Sequence, residues 1–127
     1  WDGVKDEKGR LTLQYVGTDV IRKKMPSFWV EFIANILEMF PDEWDYVIIP
    51  DCRFPNEIQI MKRFFNKDDV VTLRVGRPHY TSELTLEQQQ HISETALDDY
   101  QFDYTIYSNS LDMLYYKLDK FIGIMLK

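Results

Sequence analysis

Apolar residues recur at helical spacing in three stretches of the chain and crowd into short continuous runs in three others, and the two patterns alternate. Ser27 is placed to cap a helix carrying Trp29, Phe32, Ile33, Ile36, Leu37 and Phe40 on one strongly buried face, and Pro41 stops it. Tyr46-Val47-Ile48-Ile49 is continuously apolar and rich in β-branched residues, which predicts a strand buried on both faces and ending at Pro50-Asp51. A second helix is predicted from Pro55-Asn56-Glu57, with Ile58, Met61 and Phe65 on one stripe and Ile60 and Phe64 widening it. Residues 70–75 and 104–107 read as further strands. Ser110 caps a last helix bearing Leu111, Leu114, Leu118, Ile122 and Met125, with Asp112 near its positive end and Lys120 and Lys127 near its negative end. The alternation predicts an α/β fold with a mainly parallel sheet, whose ligands gather beyond the carboxyl ends of the strands.

Between the last two strands, residues 76–103 form a polar stretch in which Thr85 and Gln88 carry a capping-box signature for a short helix. This stretch is expected to be a mobile or ligand-facing insertion. No internal repeat or low-complexity tract interrupts the pattern.

With 127 residues, 45% of them apolar and 15% aromatic, the chain has material for one ordinary core, so residues 1–127 are expected to form a single domain or part of one. The formal charge of −6 provides no field for a nucleic-acid backbone, so nucleic acid is not an expected partner and any anionic ligand must meet a local arginine cluster. The single cysteine, Cys52, excludes an intramolecular disulfide and a Cys-rich zinc site, and two histidines leave little for any metal centre. No apolar run approaches the roughly 20 residues of a membrane span, and no signal-peptide pattern is present, so a soluble, cytoplasmic protein is expected. The chain opens at Trp1 rather than Met, which leads us to expect an upstream segment. None of Gly3, Gly9, Gly17, Gly76 and Gly123 precedes a lysine, so neither a G-x-x-x-x-G-K-[ST] phosphate loop nor a G-x-G-x-x-G turn occurs here.

The segment Asp51-Cys52-Arg53-Phe54-Pro55-Asn56-Glu57 lies where a strand gives way to a helix. There an Asp can hold hydrated Mg²⁺ through water, and an Arg can grip a phosphate with two hydrogen bonds. By spacing alone, Asp51 and Arg53 can equally pair with neighbours and cap the helix. Upstream, Gly17-Thr18 reads as a turn in which Thr18 caps a short helix. Arg22 then lies one turn in, either free to reach an anion or part of a solvated basic face with Lys23 and Lys24.

Taken together and in this order, the segments resemble the deoxynucleoside monophosphate kinase family of phages and bacteria, a branch of the P-loop kinases that is also similar to the animal-type phosphomevalonate kinases. Arg10-Leu11, Gln14, Gly17-Thr18-Asp19 and Arg22, followed by Trp29, match the family's R-L-x-x-Q-x-x-G-T-[DE]-x-x-R motif and its tryptophan. Asp51-x-Arg53-Phe54-Pro55-Asn56-Glu57 matches D-x-R-F-x-N-E, Arg77-Pro78 the arginine after the next strand, and His91-x-Ser93-Glu94 the H-x-S-E motif. Asn109 fits ahead of the last helix.

The resemblance implies a three-layer, mainly parallel sheet of the P-loop nucleoside monophosphate kinase type, with the first strand and phosphate loop absent from this chain. It implies phosphoryl transfer from ATP, with Mg²⁺, to a deoxynucleoside monophosphate. Gln14, Thr18, Arg22 and Trp29 would line the monophosphate site, Trp29 either stacking on the base or, as its spacing favours, packing beneath it. Arg53 would contact the acceptor phosphate, Asp51 the metal shell through water, and Glu57 would orient Arg53 across one helical turn. Arg77 would act as the lid arginine over the transferring group. His91, Ser93 and Glu94 would either join the lid chemistry or only cap a polar helix end, and Asn109 would contact adenine or simply turn the chain.

Pro50 would remove a ladder hydrogen bond within a central strand or mark a strand end. Without the phosphate loop, the 127-residue chain alone is expected to be inactive, and a non-catalytic remnant that binds a nucleotide or a partner protein is the competing reading. A kinase for another phosphorylated acceptor, such as phosphomevalonate, is a further alternative. A nuclease reading of Pro50-Asp51 fails because no Glu-x-Lys or Asp-x-Lys follows. Tyr115 and Tyr116 on the last helix either fill the core or serve a homodimer interface.

Overall fold

The computed structural model describes residues 6–82 and 84–125; Trp1 and Lys127, both used above, lie outside the described residues. Helix α1 (Glu7–Gln14) starts at Asp6, whose carboxylate accepts the Gly9 N–H at 2.6 Å. It runs without a break into a π-helical segment, Tyr15–Arg22, because Gln14 and Tyr15 both keep helical dihedrals. The expected turn at Gly17-Thr18 is therefore absent, and Thr18 sits inside a widened helix rather than at its cap. The Gly17 carbonyl accepts the Trp29 indole N–H at 3.3 Å.

Helix α2 (Phe28–Met39) follows Ser27, which makes no side-chain cap hydrogen bond, contrary to expectation. Its buried residues are Val30 and Ala34, facing α3 (Pro55–Phe64) and the π-helical segment. The expected buried stripe is thus rotated: Trp29, Phe32, Ile33 and Phe40 are exposed, and Ile36 and Leu37 half-buried. The helix is apolar nearly all round, so spacing alone does not select a face, and the α3 contact does. Helix α3 matches its expected start, with Pro55 at the first position, Ile58 buried, and Met61 and Phe65 half-buried.

Two strands pair in parallel, β1 (Leu73–Gly76) with β2 (Tyr104–Tyr107), in the register Leu73 opposite Tyr104 and Gly76 opposite Tyr107. The described residues thus form a mixed α/β arrangement around a two-stranded parallel sheet. Thr72 extends the ladder: its carbonyl accepts the Tyr104 N–H at 3.0 Å, while its N–H and hydroxyl both donate to Asp103. Gly76 leaves room for the Tyr107 ring, which a Cβ there would meet at 2.5 Å.

Tyr46–Ile49 is the main departure. It belongs to no strand, and all four side chains are exposed, Ile48 by 86%. A run of β-branched residues becomes a strand only when another edge pairs with it, and here β1 and β2 pair with each other. Pro50 accordingly lies in a turn and costs no ladder bond.

In the stretch after β1, Thr85 and Gln88 form the expected capping box of α4 (Leu86–Gln90), which is followed by the single turn α5 (Ile92–Thr95). Helix α6 (Leu111–Met125) begins as expected, with the Ser110 hydroxyl accepting the Met113 N–H at 3.3 Å. It packs on β2 through an edge-to-face contact of Phe121 with Tyr104. The expected apolar stripe is only partly covered: Leu114 and Leu118 are half-buried, whereas Leu111, Ile122 and Met125 are exposed. A helix of this length spans roughly 22 Å and a four-residue strand about 13 Å, so β2 cannot shield it end to end. Tyr115 and Tyr116 are both exposed, so neither fills a core.

Candidate active site

The loop before α3 and the first turn of that helix organise the site. Glu57, at the third helical position, turns its carboxylate back over the helix start, and its Oε2 accepts the Arg53 N–H at 2.8 Å and the Phe54 N–H at 3.0 Å. Its other oxygen, Oε1, takes Arg22 Nη1 at 2.7 Å, with side chains only 10% and 14% exposed. Arg22 also donates to Asn56 Oδ1, and its guanidinium lies 3.5 Å above the Phe54 ring. Asn56 Nδ2 in turn donates to the Pro26 carbonyl at 3.1 Å. Arg22 is therefore neither free for an anion nor on a solvated basic face. It locks the π-helical segment to α3. Breaking so buried a pair costs about 3 kcal/mol or more, which makes Arg22 and Glu57 scaffold rather than exchangeable ligand groups.

Arg53 is different. Its side chain is 42% exposed; Nε donates to Asp51 Oδ1 at 2.8 Å and Nη1 to Glu94 Oε1 at 2.5 Å. Burial works against its charge, but Asp51, and then Glu94, outweigh that and hold its pKa above the ordinary arginine value. Such half-exposed pairs contribute at most about 1 kcal/mol each, so an incoming anion can compete for this guanidinium. Glu57 meets Arg53 through the backbone N–H, not through its guanidinium.

Glu94 comes from α5, whose start is set by His91: Nδ1 accepts the Ser93 N–H at 3.2 Å and lies 2.7 Å from the Ser93 hydroxyl. With Nδ1 accepting the amide, the neutral ring carries its proton on Nε2, which is 3.9 Å from Asp19 Oδ1. Residues of G-T-D, D-x-R-F-P-N-E and H-x-S-E thus come together, Arg53 and Glu94 across 41 positions of chain and Asp19 and His91 across a still longer separation.

Other expected site residues lie elsewhere or contribute differently. Trp29 is 42% exposed, joined edge-on to Phe28 and hydrogen-bonded to Gly17, so the core position expected for it is corrected. Gln14 and Thr18 are half-buried along the same helical segment. Arg77 is exposed beyond β1 and stacks 5.2 Å from the Tyr80 ring. It borders an open cleft of about 840 Å³ with Arg74, Tyr100, Phe102 and Tyr107. Arg53 does not line that cleft, and Arg74 is held there by the Leu97 carbonyl and Asp98. Asn109 is exposed in the link between β2 and α6.

Sequence reasoning assigned no role to Asn56 or Asp19, although both sit inside quoted motifs. An asparagine one residue before the capping glutamate was the available signal for Asn56. At Cys52, beside Arg53, burial and then the Glu57 charge push the thiol up to about 11, which favours the protonated form.

Among the described residues, no group of three or more His, Cys, Asp and Glu side chains gathers as metal ligands. Asp51, with its side chain 80% exposed, has the chemistry of an outer carboxylate that could meet a hydrated cation through water. Among the same residues, no helix is long and apolar enough to cross a membrane.

No curated protein and no solved structure matches the chain. The family model for deoxynucleotide monophosphate kinase matches residues 9–118, a span that runs from α1 into α6 and takes in every residue of the network just described. A match over that much of the sequence, with its motifs joined in space, shows that the chain belongs to the deoxynucleotide monophosphate kinase family.

Proposed function

We propose that this chain supplies the acceptor and lid residues for transfer of the γ-phosphoryl group of ATP to a deoxynucleoside monophosphate. The observation that carries the proposal is Arg53, a half-exposed guanidinium on a loop fixed from beneath by the buried Arg22–Glu57 pair. An oxygen of the acceptor phosphate attacks the γ-phosphorus, the bond to the bridging β-phosphate oxygen breaks, and ADP leaves. Little covalent work falls to the protein; positioning and charge neutralisation dominate.

In this reading Arg53 holds the acceptor phosphate, and Gln14 at the end of α1, Thr18 on the π-helical segment and Trp29 on α2 border the monophosphate. Arg22 is a positioning residue that acts through Glu57 and Asn56. A magnesium ion bound with ATP neutralises phosphate charge, and Asp51 would meet it through water. Arg77 swings from its Tyr80 stack to the transferring group as residues 76–103 close, and Asn109 borders the adenine. The proposal includes one domain over residues 1–127, the three-layer parallel sheet of the P-loop kinases, and a cytoplasmic setting.

Steady-state kinetics of the intact gene product test it. Arg53→Ala lowers kcat/KM for the deoxynucleoside monophosphate roughly a hundredfold, the loss expected for one charged hydrogen-bonding group, while Lys23→Ala leaves it unchanged. Equal effects of the two substitutions would remove Arg53 from the phosphate site.

A further inference from the structure

A guanidinium offers two edges for gripping an oxyanion with paired hydrogen bonds, Nε with Nη2 and Nη1 with Nη2. In Arg53, Asp51 takes Nε and Glu94 takes Nη1, so one member of each edge is already committed. A phosphate can make a paired contact only if a carboxylate leaves, and like-charge repulsion at this range adds to the demand.

The two carboxylates are not equivalent. Asp51 is two residues away on the same loop and moves with Arg53. Glu94 arrives from 41 positions along the chain, on a four-residue helical turn whose N-cap, His91, makes a loose 3.9 Å approach to Asp19 of the π-helical segment. The Arg53–Glu94 pair is itself partly open to water, at 42% and 29% side-chain exposure.

We propose that Glu94 is a gate carboxylate: it occupies the phosphate position on Arg53 in the empty site, and the arriving acceptor phosphate displaces it, releasing α5 from the loop before α3. The inference rests on the reading of Arg53 as the acceptor-phosphate group and adds what fills that place beforehand. Glu94 thereby lowers affinity for free anions and links occupancy of the acceptor site to movement of the insertion between the strands.

The test is titration of the 127-residue chain with inorganic phosphate and, separately, with deoxynucleoside monophosphates, followed through the Arg53 Nε–H resonance. Wild type is compared with Glu94→Gln and Glu94→Ala, and with Glu87→Gln on the neighbouring helix as control. Both Glu94 substitutions tighten inorganic phosphate binding about tenfold, equivalent to about 1.4 kcal/mol, and Glu87→Gln does not. In wild type, amide exchange at Ile92–Thr95 quickens when phosphate binds. Unchanged or weaker phosphate binding in both Glu94 variants, or no binding by any form, overturns the gate. Tightened phosphate binding with no preference for deoxynucleoside monophosphates upholds the gate and removes the nucleotide acceptor proposed above.

Discussion

Glu57 uses its two carboxylate oxygens for different tasks, one on the buried Arg22 and one on the backbone N–H groups of Arg53 and Phe54. Replacing it by Gln keeps the shape but strands the Arg22 charge, and denaturant unfolding should show a loss of about 3 kcal/mol. Asp98→Asn, which breaks the more exposed pair with Arg74, should cost less than about 1 kcal/mol. Equal losses would mean that the Arg22–Glu57 pair is not buried in solution. Cys52 gives a pH signature with a defined sign. Its folded pKa, about 11, lies above the ordinary thiol value of 9.0, so the folded state binds that proton more tightly. The associated stability is complete below pH 9 and is lost as pH rises from 9 toward 11. Unfolding curves of wild type and Cys52→Ser should therefore diverge across that window, with wild type falling faster. Parallel curves, or rapid alkylation of Cys52 at neutral pH, would contradict the placement of the thiol.

Among the elements, the turn after β1 makes a separate prediction. The Tyr80 N–H donates to the Arg77 carbonyl, Pro78 sits second and His79 third with φ of 63°, a left-handed conformation that favours glycine. His79→Gly should stabilise the chain by about 0.5–1 kcal/mol, the relieved strain less the extra unfolded freedom of glycine, and raise the melting temperature. A lower melting temperature would show that the turn is not strained at His79. The sequence was most legible where a local chemical signal decides the outcome: Pro55 starting α3, the Thr85 and Gln88 box starting α4, Ser110 starting α6. It was least legible where the outcome depends on a distant partner. Tyr46–Ile49 has the composition of a strand and lacks an edge to pair with, and α2 has apolar residues on nearly every side, so its packing against α3 chose Val30 and Ala34. Gly17-Thr18 looked like a turn because glycine permits one, whereas helical dihedrals on the preceding residues carry the helix through it.

At the scale of the whole molecule, composition pointed to one ordinary core, yet among the described residues only Val30, Ala34, Ile58 and Ile106 are both apolar and buried. Composition counts apolar side chains and says nothing of the surfaces that cover them; Trp29, Phe32, Trp44 and Ile48 stay exposed for that reason. Arg53, Asp51, Glu57, His91, Ser93 and Glu94 were singled out from sequence and lie in one network, while Arg22 moved from ligand group to scaffold once its burial was seen. Arg77, by contrast, rests on Tyr80 beside a different cleft, and no spacing rule discloses that. The central claim is that the joined motifs form a site for the phosphate of a deoxynucleoside monophosphate. Its most direct measurement is calorimetric titration of the 127-residue chain with deoxynucleoside monophosphates and with the same nucleosides lacking the phosphate. Heat from at least one monophosphate, none from its nucleoside, and loss of that heat in Arg53→Ala are expected; equal responses to monophosphate and nucleoside, or binding that survives Arg53→Ala, would contradict the phosphate site.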